Sequence, residues 1–179
     1  RMYSLDNSYS REELADWENR IQRALGNAPV SYTCELKYDG ASISITYENG
    51  KLLRAVTRGD GVQGDDVTAN VKTIRTIPLI LKPGNYPDRF EVRGEVFMPF
   101  SVFKKLNKER EDIGEQLIAN PRNGASGSLK MQDSAQVAKR ELDCYLYTLL
   151  GENLPFSTHQ QAIEALTMRG FHVSPTWKT

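Results

Sequence analysis

The stretch CELKYDGASISI, residues 34–45, governs the reading of this chain. Successive side chains of a strand point to opposite faces. A strand here therefore sets Glu35, Lys37 and Asp39 on one face and Cys34, Leu36 and Tyr38 on the other. SYTCELKYDG reads as that strand, and ASISITYENGKLLRAVTR as two more, joined at the strong hairpin pair Asn49-Gly50. Farther on, RFEVRGEVFMP reads as a strand in which Glu91, Arg93 and Glu95 alternate with Val92, Gly94 and Val96. A solvated sheet face explains either charged strand alone. Two such strands, each beside a glycine (Gly40, Gly94) where a ligand can near the backbone, suit a cleft for a polar ligand.

Helices flank these strands. Ser10 and Glu13 fit a capping box, and Leu14, Trp17, Ile21 and Leu25 follow at helical spacing until Gly26. DVTANVKTIRTI predicts a short helix, and Ser101 the cap of a helix through Arg110. Pro121 after Asn120 suits a first helical turn. LDCYLYTLLG predicts a buried strand. Residues 157–169 predict a helix closed by Gly170. The expected fold class is α+β, mostly antiparallel strands flanked by helices.

At 179 residues, 39% hydrophobic and 26% charged, the chain suits a folded domain with a core, not a disordered or membrane protein. Lys+Arg and Asp+Glu balance at 23 each, so any DNA contact must come from local patches. Lys72, Arg75, Lys104, Lys105, Lys108 and Arg110 are candidates for it, on helix faces that solvation alone also explains. Cys34 and Cys144 lie in apolar stretches and read as reduced core thiols. His159 and His172 have no metal-ligand spacing and read as surface or satisfied histidines. No signal peptide or apolar span is visible, which predicts a cytoplasmic protein without membrane attachment. The chain opens on arginine, as a piece of a longer protein would.

Lys37 poses a chemical problem. A free lysine, with a pKa near 10.4, is ammonium at neutral pH, and adjacent carboxylates favour that form. A nucleophilic Lys37 therefore predicts a divalent cation, which reverses the balance and neutralises a phosphate under attack. TRGDGVQGDD (57–66) sets Arg58 at a strand end before a tight turn but lacks the Lys-Ser/Thr of a Walker A loop. In NPRNGASGSLK (120–130), Arg122 opposes the helix dipole, a misfit explained if it faces a phosphate.

KYDG is the K-x-D-G signature of covalent nucleotidyltransferases. Together with SLDN, CELKYDG, AVTRGDG, NVKTIRTIP, EVRGEVFMP and ANPRNGASGSLK, in that order, the chain resembles the bacterial NAD⁺-dependent DNA ligases from Ser4 to its C-terminus. The resemblance implies the nucleotidyltransferase fold of DNA ligases. It implies that a lysine takes AMP from NAD⁺ with release of nicotinamide mononucleotide, that AMP passes to the 5′-phosphate of nicked double-stranded DNA, and that the 3′-hydroxyl displaces it. Lys37 is then the nucleophile and Glu35 the acid that reads the adenine amino group. Ser4 and Leu5 line the adenylate site. Arg58 and Glu95 contact the nucleotide, Glu95 at the ribose. Asp39 is an essential acid near metal and phosphate, and Arg122 lies on the path of the nick phosphate. Mg²⁺ or Mn²⁺ is implied near Asp39 and Glu95, with no protein side chain assigned as a direct ligand. A monomeric bacterial enzyme of replication and repair is expected.

Two departures from the pattern stand out. Lys130 occupies a position where many members have arginine, which keeps the charge but loses the bidentate fork. The D-G-x-V-x-K and K-x-P motifs, whose lysines contact the adenylate phosphate, do not occur. Nor do the nicotinamide-mononucleotide module, the OB-fold, the zinc finger with its zinc, the helix-hairpin-helix repeats or the BRCT domain. Residues 1–179 are thus expected to be part of an adenylation domain, weak or inactive in nick sealing by itself. The alternatives are an ATP- or GTP-dependent nucleotidyltransferase, marked by ATP labelling of Lys37, and an inactive nucleotide- or DNA-binding fragment, marked by binding without transfer.

Overall fold

The computed structural model describes residues 1–3, 5–26 and 28–178. Its elements run α1 (Arg11–Ala24), β1 (Thr33–Glu35), β2 (Ala41–Glu48), β3 (Lys51–Thr57), α2 (Thr68–Val71), β4 (Arg89–Phe97), α3 (Phe100–Asp112), α4 (Pro121–Leu129), α5 (Ser134–Ala138), β5 (Asp143–Leu150), α6 (His159–Met168) and β6 (Thr176–Lys178). Asn49 and Gly50 have φ of 48° and 72°. Positive φ at both central positions is the turn that matches strand twist, and it joins β2 to β3 as expected.

An antiparallel sheet of order β3-β2-β4-β5 carries the architecture, so the α+β expectation holds. Its register decides what each face shows. Ile45 stands opposite Val92, and Ile43 opposite Gly94, while Ser42 faces Glu95 and Ser44 faces Arg93. One face is therefore apolar: Ile43, Ile45, Val92 and Val96 are fully buried, with Cys144 of β5 beside them. Helices α2, α4 and α6 pack on the sheet and fill the core with Val71, Ala125, Leu129 and Leu166. Burying one such aliphatic side chain contributes roughly 1.5–3 kcal/mol, which is what holds the layers together. Tyr47 also lies in this core, and its hydroxyl donates to the Pro78 carbonyl at 2.6 Å. The opposite face stays polar.

Several expectations change. The strand through KYDG is short: β1 ends at Glu35 and pairs with β6 in a separate two-stranded sheet. Pairing stops where the partner strand begins: Glu35 stands opposite Thr176, and Pro175 before it has no amide to donate. Farther on, the Gly40 amide donates to the Glu95 carboxylate. A Cβ on Gly40 would sit 2.1 Å from the Val96 carbonyl, and one on Gly94 2.4 Å from that of Tyr145. Neighbouring backbone is by itself enough to require glycine at both positions. Cys34 and Leu36 are exposed, whereas Cys144 is buried as expected.

Helix α1 forms with Ser10 accepting from the Glu13 amide, but it buries no residue. Its Trp17 meets only the Tyr32 ring, at 5.4 Å between centroids, among the described aromatic pairs. Helix α3 begins one residue before Ser101, with Pro99 at the cap position and no side-chain cap bond. Helix α6 starts behind Thr158, whose side chain and that of Gln161 form a reciprocal capping box.

Candidate active site

The polar face of the sheet floors a cavity of about 560 Å³. Glu35, Lys37, Arg58, Glu95, Arg122 and Leu5 all line it. They come from β1 and the segment after it, the end of β3, β4, the start of α4 and the N-terminal segment. A second cavity of about 230 Å³ adjoins it, sharing Ser42, Arg58 and Arg122 and reaching Lys130. Asp39 lines neither but is tied to the site through Arg122. Ser4 lies outside the described residues.

The N-terminal segment is held over the floor by backbone contacts. The Met2 amide donates to Gly61 at 3.1 Å, and Arg93 Nη1 donates to the Arg1 carbonyl at 3.0 Å. Gly61 belongs to the loop after Arg58, whose turn is closed by Asp60 accepting the Val62 and Gln63 amides, both at 2.8 Å. Those two amide bonds, Gln63 first, hold the Asp60 carboxyl below its ordinary value. Arg58 is thus presented at the cavity edge by its own turn.

Each acid of the site already has a partner. Glu95 accepts from the Gly40 amide at 3.1 Å and from the Ser42 hydroxyl at 2.8 Å, one bond per oxygen. Glu35 Oε1 lies 2.5 Å from His159 Nε2. Asp39 accepts from Arg122 at 2.7 Å. Glu35 and Asp39, which flank Lys37 in the chain, are thus both engaged elsewhere. Arg122, expected to face a phosphate, faces a carboxylate, which offsets its unfavourable place in the first turn of α4. Lys130 likewise holds Asp65 at 2.8 Å.

Beside the floor, burial opposes ionisation of Glu91, but the Ser44 hydroxyl and the Arg93 guanidinium prevail and keep it below the usual carboxylate value. Tyr147 also lines the cavity, and burial, with the Glu95 charge, pushes its hydroxyl up. Sequence reasoning missed Tyr147 because β5 reads as a continuous apolar run. It missed His159 because a lone histidine 124 residues from Glu35 gives no local signal. Among the described residues no group of three or more His, Cys, Asp or Glu side chains is placed to hold a metal ion.

The model of the NAD-dependent DNA ligase adenylation domain family matches residues 1–179. The chain belongs to that family. This adenylation domain chain is 64% identical over 173 residues to a DNA ligase of Flavobacterium psychrophilum, 65% over 173 residues to one of Flavobacterium johnsoniae, and 55% over 177 residues to one of Cytophaga hutchinsonii. The alignments take in 97%, 97% and 99% of the chain, and the chain spans 26% of the length of each relative.

Of the cations considered for DNA contact in this adenylation domain chain, Arg110 is engaged with Glu115 and the Gln116 carbonyl. Lys105 pairs with Glu141 and Lys108 with Asp112. Lys104 lies over the Phe100 ring, and Lys72 and Arg75 are exposed. No helix among the described residues is long and apolar enough to cross a membrane.

Proposed function

We propose that this chain is part of the adenylate-accepting core of an NAD⁺-dependent DNA ligase acting on nicked double-stranded DNA, with Lys37 as the covalent carrier of AMP. The observation that carries the reading is the convergence of Lys37, Glu35, Arg58, Glu95 and Arg122 on one cavity, in a chain of the adenylation domain family.

The lysine nitrogen attacks the α-phosphorus of NAD⁺. The ammonium first gives one proton to solvent; the amine then forms the P–N bond, the P–O bond to nicotinamide mononucleotide breaks, and the nitrogen releases its second proton to solvent as the phosphoramidate forms. AMP then passes to the 5′-phosphate of the nick, and the 3′-hydroxyl expels it as the strand closes. Glu35 reads the base amino group, and Tyr147 offers the base an aromatic face. Glu95, held by Gly40 and Ser42, is preorganised for the ribose hydroxyls. Arg58 and Arg122 bind phosphate, with Lys130 farther along the adjoining cavity. Such contacts are independent of DNA sequence and weaken with salt.

Asp39 and Glu95 retain lone pairs beyond their present bonds. That donor set fits Mg²⁺, which takes one or two carboxylates and otherwise water and phosphate oxygens. When bound, the ion neutralises charge on the reacting phosphate.

The test places residues 1–179 in the F. johnsoniae DNA ligase in place of their counterpart. With NAD⁺ the chimera should release nicotinamide mononucleotide, and with ATP no pyrophosphate. Pyrophosphate from ATP, with nothing from NAD⁺, sinks the reading.

A further inference from the structure

We infer that His159 is a positioning residue that aims Glu35 at the nucleobase and limits the cavity to a base bearing an exocyclic amino group. The inference rests on the reading of this cavity as an adenosine site.

His159 is the first residue of α6. The Thr158 hydroxyl accepts the Gln161 amide at 3.2 Å, and the Gln161 side chain accepts the Thr158 amide at 3.3 Å. Ala162, Ile163, Ala165 and Leu166 anchor the same helix in the core. The imidazole therefore projects from a rigid base. Its Nε2 lies 2.5 Å from Oε1 of Glu35, whose side chain is only 21% exposed.

An ionised carboxylate offers only lone pairs, so the proton of this bond is assigned to Nε2 of His159. With Oε1 committed to the imidazole, Oε2 is the oxygen left for a ligand, and it accepts. It can take an N–H of the 6-amino group of adenine. Facing the 6-oxo group of hypoxanthine, it would oppose lone pair to lone pair and go unpaired. Without His159 the carboxylate regains its rotamers, and its free oxygen no longer points one way.

The test titrates the chain with AMP and with IMP, as wild type, Glu35→Gln, His159→Ala and His159→Gln. His159 lies at an exposed helix start, and melting temperatures check that each variant folds. Wild type should prefer AMP. His159→Ala should lower that preference roughly tenfold, about the worth of one hydrogen bond to a charged group. His159→Gln, whose amide can reach the same oxygen, should restore part of it. Long-range ¹H–¹⁵N spectra should show Nε2 protonated, with a signal that AMP moves in wild type but not in Glu35→Gln. If Glu35→Gln removes the preference and His159→Ala keeps it, the inference is overturned and the adenosine-site reading stands. If wild type binds neither nucleotide, or both equally, the adenosine-site reading fails and the inference with it.

Discussion

Arg122 Nη1 donates to Asp39 Oδ1 at 2.7 Å, closing an ion pair between residues 83 positions apart. The carboxylate occupies the guanidinium that the nick phosphate is proposed to use. Both side chains are more than half exposed, so the pair is a surface one. Such pairs contribute about 0–1 kcal/mol. Arg122→Ala should therefore shift the urea midpoint of the chain very little, while in the chimeric ligase it should slow sealing clearly. A large loss of stability would make Arg122 a structural residue instead.

Glu95 is placed differently. Its two oxygens satisfy the Gly40 amide and the Ser42 hydroxyl in a part-buried setting. Glu95→Ala strands both donors and should cost about 1–3 kcal/mol of unfolding free energy in addition to nucleotide affinity. Glu95→Gln keeps one acceptor and should cost less. Equal stability of Glu95→Ala and wild type in denaturant would contradict this network.

Gly40 and Gly94 test the packing argument. A methyl group at either meets a backbone carbonyl, 2.1 Å away at Gly40 and 2.4 Å at Gly94. Backbone cannot swing aside as a side chain can, so Gly40→Ala and Gly94→Ala should each destabilise by about 1–3 kcal/mol or more. Thermal unfolding with no ligand present reads this. If Gly94→Ala instead weakened nucleotide binding and left the melting temperature alone, a ligand would be what approaches that backbone.

The parts of the fold legible in the sequence are those set by local chemistry. Asn49-Gly50 can adopt positive φ, Asn120-Pro121 both caps and starts α4, and Glu91, Arg93 and Glu95 alternate across β4. What depended on distant contacts was not legible. The strand through KYDG stops at Glu35 because its distant partner β6 begins at Thr176, after Pro175, which has no amide to donate. The apolar positions of α1 have helical spacing, yet Leu14 remains 53% exposed because the described residues set little against that face. In the site, Lys37, Glu35, Arg58 and Arg122 stood out by motif, whereas the His159 partner of Glu35 did not.

The two thiols should behave oppositely. Burial pushes the Cys144 thiol far above its ordinary value of 9.0, with the Asp143 and Glu95 charges adding, while Cys34 is exposed. An exposed thiol reagent at pH 8 should modify Cys34 alone in the native chain and both thiols once it is unfolded. The sign for stability follows from linkage: the unfolded thiol ionises first, so the Cys144 contribution is complete below pH 9.0 and is lost as pH rises beyond it. Rapid native labelling of Cys144 would show that the β4–β5 layer opens.

The most direct measurement is the location of AMP after the chimeric ligase meets NAD⁺ and Mg²⁺, found by intact mass and then by peptide mapping. A gain of one AMP is expected, carried on the peptide with Lys37 and absent from Lys37→Ala. An adduct that persists in Lys37→Ala, or that maps to another residue, would contradict it.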